Sequence, residues 1–294
     1  MNILDFDEIK EDFDNKIFAN SKADLITKLS KNPSRYVGLF RSSNPKTKLL
    51  QNITQSHEIK FGDGCEILIR KLFEKFGFKN LERNRTLENG NEISFDQLMK
   101  KNGELLFIEQ KVRDDHDSTK KRGQFENFKI KLDYLINNEN FASLRSYIYF
   151  IDPSLTKNKN YYLAEIEKIN SRPGININLA YGDELFVHES IGFVWDEEIV
   201  DFLSKWRKNL PNFPELDFDK EAENTFSEIK CLSANTFQKL FTNKDIVTNI
   251  FPIIFPTGST LILLKDHFHS RSTSNNTFRN QYSELKKILD ELGY

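Results

Sequence analysis

Three charged residues, Asp96, Glu109 and Lys111, interrupt the stretch SFDQLMKKNGELLFIEQKVRDD (94–115), which otherwise has strand character. Asn-Gly separates its two halves, and both residues tolerate the positive φ of a type I′ hairpin turn. A two-residue loop at Asn102 and Gly103 sets Lys101 opposite Glu104 and carries Asp96 directly across from Glu109. Lys111, two residues on, falls on the same face, opposite Ser94. Directly opposed Cβ atoms lie roughly 4.5–5.5 Å apart, so the two carboxylates repel. A divalent cation between them removes the repulsion. Mg²⁺ is hard and is usually held by one or two carboxylates, water and substrate phosphate. Such a centre suits phosphodiester hydrolysis: the metal polarises a phosphoryl oxygen and acidifies a water, while the lysine stabilises developing charge or positions the nucleophile.

A solvated hairpin face is the alternative. Glu-x-Lys recurs at Glu8–Lys10, Glu58–Lys60, Glu228–Lys230 and Glu284–Lys286, but no copy has an aspartate across a tight turn. Leu98, Leu105 and Phe107 on the same face argue against full solvation. On geometry alone both readings stand.

Several elements must position these residues. FGDGCEILIRKLFEKFGF reads as a helix with Cys65, Leu68, Ile69, Leu72, Phe73 and Phe76 on one face, Asp63 as its cap and Gly77 at its end. A second helix through GQFENFKIKLDYLINN carries Phe125, Phe128, Leu132 and Leu135 on its inner stripe. RSYIYFIDP reads as a buried strand, YYLAEIEKI as strand or helix, NINLAYGDELFV as a strand pair and EEIVDFLSKWRKNL as a helix. SNPKTKLLQN reads as an irregular connection, and NLPNFPELDFD (209–219) as a linker before a mainly helical tail. This order argues for an α/β core. The expected divisions are an N-terminal helical segment (1–55), a core (56–208) and a C-terminal region (209–294).

The chain of 294 residues is 38% hydrophobic and 29% charged, as a globular protein is. Its net charge of −2 excludes no partner, because a nucleic-acid site needs only a local basic surface. Cys65 and Cys231 make neither a disulfide framework nor a metal set, so a reduced, cytoplasmic setting is expected. The acidic N-terminus lacks a signal-type apolar run, and prolines break IVTNIFPIIFPTGSTLILL, so no membrane association is expected. Phosphate-binding-loop, dinucleotide and Gly-x-Ser-x-Gly motifs are absent, which argues against a nucleotide cofactor.

Asp96, twelve intervening residues and then Glu109-Gln110-Lys111 resemble the PD-(D/E)xK nuclease signature, with Ser-Phe-Asp in place of Pro-Asp. Glu66, in GCEILIRKLFEKFGF, matches the helix glutamate often found ahead of that hairpin, and the succession over residues 62–152 follows the fold's common core. Within the superfamily the chain most resembles type II restriction endonucleases. The resemblance implies a restriction-endonuclease-like α/β fold, a mixed central sheet flanked by helices. It further implies Mg²⁺ on Asp96, Glu109 and the Gln110 carbonyl, Lys111 as the catalytic lysine and Glu66 as an accessory residue. A solvent-facing Glu66 beside Arg70 is the bland alternative.

Double-stranded DNA would then be the substrate. Arg113, Ser118, Thr119, Lys120, Lys121 and Arg122 offer cations and hydroxyls at a helix start suited to phosphate, with Asp117 as its cap. His116 is a base or ligand candidate, although a lone loop histidine is more often neither. Near the C-terminus, His269, Arg271, Asn275 and Arg279 are candidate DNA contacts, since Arg and Asn read base edges bidentately. A polar loop is the alternative there, and no carboxylate or cysteine completes a zinc set around His267 and His269. Rival functions are a repair or junction-resolving nuclease of the same fold and a non-catalytic DNA-binding module. A homodimer is expected if the target is palindromic.

Overall fold

The computed structural model describes residues 3–169, 174–210, 214–273 and 275–294. The chain forms two compact units, Met1–Ile17 with Lys60–Leu210, and Phe18–Ile59 with Pro211–Tyr294. The expected segment 1–55 is therefore divided. Helix α1 (Phe6–Phe18) packs in the first unit, where Phe13 meets the rings of Phe61, Phe202 and Trp206. Helix α2 (Ser21–Lys31) gives Leu25, Ile26 and Leu29 to the core of the second.

The hairpin forms as its turn residues demand. Asn102 and Gly103 have φ of 51° and 84°, and β4 (Gln97–Lys101) pairs with β5 (Glu104–Lys111) from Lys101↔Glu104 to Gln97↔Ile108. Strand β1 (Lys79–Asn80) flanks β4, while β6 (Ser143–Phe150) and β7 (Ile175–Tyr181) run parallel to β5, giving the mixed order β1-β4-β5-β6-β7. Helices α5 (Ser118–Asn138) and α6 (Lys159–Ile169) make the two parallel crossovers. On their face of the sheet, Leu105 and Phe107 pack with Phe125, Phe128, Leu132 and Tyr162, and Phe107 stacks on Phe128 at 5.2 Å. On the other, the buried stripe of α4 (Pro45–Lys75) joins α7 (Glu184–His188), with Phe186 6.0 Å from Phe73 and 6.3 Å from Tyr149.

Several expectations change. SNPKTKLLQN is the start of α4 rather than an irregular connection, with Asn44 accepting from the Thr47 amide at 2.8 Å. Asp63 lies inside that helix and pairs with Lys16 at 3.0 Å, so it caps nothing. Gly64 is tolerated because a Cβ there would come 2.9 Å from the Phe13 ring, so α1 packs closer without one. Ser94 does not face Lys111. It belongs to β3 (Glu92–Ser94) and pairs with Asn84 of β2 (Asn84–Thr86), because the chain bends at Asp96 and the Phe95 amide bonds to the Arg83 carbonyl. ELFV is helix α7, since Glu184 accepts from the Tyr181 amide at 2.8 Å and Gly182 turns the chain at φ 54°. YYLAEIEKI is helix α6. EEIVDFLSKWR is helical, a π turn (Trp195–Val200) running into α8 (Asp201–Arg207).

The second unit is helical: α2, α3 (Ser34–Val37), the start of α4, then α9 (Ala222–Ile229), α10 (Ala234–Phe241), α11 (Lys244–Asn249), α12 (Phe251–Ile254), α13 (Ser259–Arg271) and α14 (Asn276–Leu292). Leu216 and Phe218, expected in a linker, are buried in its core, while residues 211–213 of that linker lie outside the described residues. The apolar run near residue 250 supplies Ile246, Ile250, Phe251, Ile254 and Phe255 to that core. No single helix among the described residues is long and apolar enough to cross a membrane.

Gly103 carries the left-handed turn that sets the hairpin register. Gly103→Ala should destabilise the protein by about 1–2 kcal/mol, the cost of an L side chain at that φ, and urea denaturation measures it.

Candidate active site

Asp96 sits one residue beyond the last ladder pair, yet its carboxylate turns back to β5 and accepts from the Gln110 amide at 2.9 Å. Lys111 Nζ lies 2.8 Å from each of three oxygens: Asp96 Oδ2, Glu109 Oε1 and the Gln110 carbonyl. The two acids and the carbonyl thus converge on a single positive charge. Hard oxygen donors in this arrangement are those Mg²⁺ takes, and an ammonium already stands among them, so the residues fit the ion. No group of three or more His, Cys, Asp or Glu side chains suited to a metal occurs among the described residues, and the donor set remains two carboxylates and a carbonyl.

A second ammonium was not singled out in the sequence. Lys131 of α5 is 3% exposed and donates to Glu109 Oε2 at 2.6 Å, with Asp96 Oδ1 at 3.8 Å. Its signal is its position: three residues after Phe128 and four before Leu135, it occupies the helix's inner stripe, where an unpaired lysine is rare. Glu109, itself 3% exposed, is held from both sides. Burial by itself lowers the pKa of Lys111, but Glu109 and Asp96 outweigh it and the net shift is upward. Its two acid neighbours thus favour the charged form of Lys111.

Glu66, on α4, is not solvent-facing. Its Oε2 accepts from Arg83 Nη2 at 2.6 Å and lies 3.9 Å from Arg70. Its helix is tied to the hairpin: Gln97 donates to the Glu66 carbonyl at 2.7 Å, and Arg70 donates to Gln97 Oε1 at 3.2 Å and to the Asp96 carbonyl at 3.3 Å. Burial first, then the Asp96 charge, pushes the Glu66 carboxyl up to about 7, with Arg83 opposing.

After β5 the chain is clasped by Asp114, which is fully buried. It accepts from the Asn158 amide and side chain, both at 2.7 Å, and from the Tyr181 hydroxyl at 2.9 Å. This clasp fixes the segment leading to α5, whose start Asp117 caps through the amides of Thr119 (3.0 Å) and Lys120 (2.8 Å). Arg113, Ser118, Thr119, Lys120 and Arg122 are exposed there, and Lys121 lies 4.7 Å over the Tyr161 ring. His116 is beside Asp115 at 3.5 Å, its pKa lowered by burial.

The other candidate contacts belong to the second unit, where His269, Arg271 and Arg279 lie on helices and Asn275 lies between them. His269, in the last turn of α13, has its ring 4.7 Å from Tyr282, Arg271 sits 5.6 Å over Phe278, and Asn275 caps α14 by accepting from Thr277 at 2.8 Å. Arg279 is exposed on α14. His267 packs among Phe226, Phe268 and Phe278, which accounts for it without a metal.

A five-stranded mixed sheet flanked by helices, with an acid pair and a lysine at the end of its central strand, is a restriction-endonuclease-like fold. The chain belongs to the family described as "Type II restriction endonuclease, HinfI", whose model matches residues 7–94 and 78–207. No curated protein and no solved structure matches it.

The Glu66 carboxyl is raised above its ordinary 4.5, so its contribution to stability is present below that value and lost as pH rises through about 7. Relative to Glu66→Gln, the wild type should lose stability from about pH 5 to about pH 8, by at most ~1.4 kcal/mol per pH unit. Urea denaturation in metal-free buffer tests this, and parallel profiles would contradict the raised pKa.

Proposed function

We propose that this chain is a Mg²⁺-dependent endonuclease that hydrolyses phosphodiester bonds of double-stranded DNA at a specific sequence. Family membership supports the nuclease reading. The observation that carries the chemistry is the trio of oxygens, each 2.8 Å from one cationic nitrogen.

Asp96, Glu109 and the Gln110 carbonyl would hold Mg²⁺, which when bound polarises a phosphoryl oxygen and lowers the pKa of a water. Lys111, beside the same acids, would supply donors and positive charge to the phosphoryl oxygens as negative charge grows on them. Lys131 holds the outer oxygen of Glu109, leaving Oε1 turned toward Lys111. Arg70 and the bond from Gln97 to the Glu66 main-chain carbonyl fix the bend that aims Asp96. The Glu66 carboxylate holds Arg83, which donates to the Phe95 carbonyl, so Glu66 acts here as a positioning residue.

The cations and hydroxyls from Arg113 to Arg122 serve phosphates flanking the cut, with the capped start of α5 among them. His269, Arg271, Asn275 and Arg279 would be DNA contacts of the second unit's own, and that unit would serve recognition, dimerisation or both. If the target is a palindrome, a homodimer matches its symmetry.

Digesting an unmethylated genome with Mg²⁺ and sequencing the ends should give one recurrent motif, and chelation should stop the reaction until Mg²⁺ is returned. Lys111→Ala should cut at least ~10²–10³-fold more slowly, with DNA affinity in Ca²⁺ little changed. Full cutting by that variant would refute the assignment of Lys111.

A further inference from the structure

Leu39 and Phe40 are 89% and 92% exposed, and no other large apolar side chain among the described residues exceeds 65%. They are adjacent, on the turn between α3 and α4 in the second unit. The turn is anchored at both ends. Tyr36 is buried, the Gly38 amide and Arg41 Nε both donate to the Ser34 carbonyl, and Asn44 receives the Thr47 and Lys48 amides. A Cβ at Gly38 would collide with that Ser34 carbonyl, so glycine is what lets the chain fold back and project the pair.

The segment that carries them is cationic. From Leu25 to His57 the sequence has no carboxylate, although 44 acidic residues in 294 would place about five there. The same span carries Lys28, Lys31, Arg35, Arg41, Lys46 and Lys48. Lys31, Arg35, Arg41 and Lys46 are exposed, and none of the four is in an ion pair among the described residues. Two apolar side chains held out on a chain segment that carries cations and no carboxylate fit a polyanion with an apolar interior. A second copy of the chain would bring the same positive charge against itself at a two-fold contact. Duplex DNA answers both features, with phosphates for the cations and stacked base steps for an inserted apolar side chain.

We propose that Leu39 and Phe40 form a wedge that enters the base stack of bound DNA, with Arg35, Arg41, Lys46 and Lys48 on the flanking phosphates. This rests on the DNA-cleaving reading but concerns different residues from those at the acid pair, so the two can fail separately.

The test places Phe40→Trp in the full chain, with Ca²⁺ in place of Mg²⁺ and linear unmethylated plasmid DNA as the probe. Wild-type emission from Trp195 and Trp206 is subtracted. Saturating DNA should quench most of the added indole emission and shield it from acrylamide. Leu39→Ala with Phe40→Ala should bind about tenfold or more weakly with an unchanged melting curve. Arg41→Gln with Lys46→Gln should reduce the slope of log affinity against log salt by about 2. An indole still open to acrylamide in the complex, with undiminished affinity of the double alanine variant, overturns the wedge and leaves the nuclease reading intact. Emission that follows protein concentration instead of DNA, with the double alanine variant sedimenting as a smaller species, assigns the pair to self-association and overturns it too. A wild type that neither binds nor cuts duplex DNA sinks both proposals.

Discussion

Two carboxylates brought into one largely buried corner must be neutralised, and much of the first unit serves that need. Asp96 and Glu109 repel, and neither can escape into bulk water, Glu109 being almost fully covered. Unpaired buried charge costs several kcal/mol. Two ammonium groups answer it from different elements, Lys111 from the same strand and Lys131 from the crossover helix. The charges balance, and the oxygens stay gathered.

The sheet makes that gathering rigid. Strand β5 is central and covered on both faces, so the backbone carrying Glu109 and Lys111 is held by ladders on either side. Glu109 and Lys111 lie at its carboxyl end, where α/β sheets place ligands. Asp96 is the less constrained partner, lying past the ladder, and α4 supplies what the ladder does not through Arg70 and the Glu66 carbonyl, which accepts from the Gln97 side chain. Asp114 performs the corresponding task downstream, exchanging its own desolvation for three hydrogen bonds that fix the turn into α5.

The second unit is built by different rules. Its core is mainly helical, drawn from the stretch Phe18–Ile59 before the sheet and from residues beyond 215. The family match ends at residue 207, so most of this unit lies beyond it. Its charge is sharply uneven, which a net value of −2 conceals.

The hairpin was legible because its rules are local. Asn-Gly dictates a turn, and the turn dictates a register that runs as far as Gln97↔Ile108. That register carries Asp96 to the end of the ladder beside Glu109, and distant α4 fixes it there through Arg70 and the Glu66 carbonyl. The helix stripes and the strand of RSYIYFIDP follow from periodicity in the same way. What depends on chain segments meeting was not legible. Lys131 looks like one more helical lysine until α5 lies across β5. Ser94 leaves the hairpin because Arg83, eleven residues earlier, takes its neighbour's amide. PKTKLLQN is helical because Leu49 and Ile53 find a core made mostly of residues beyond 215. Local backbone preference and side-chain spacing therefore determined the acid pair. Only tertiary packing decided that Lys131 joins Lys111 beside it, because desolvation and Coulomb attraction act between residues that sequence distance does not bring together.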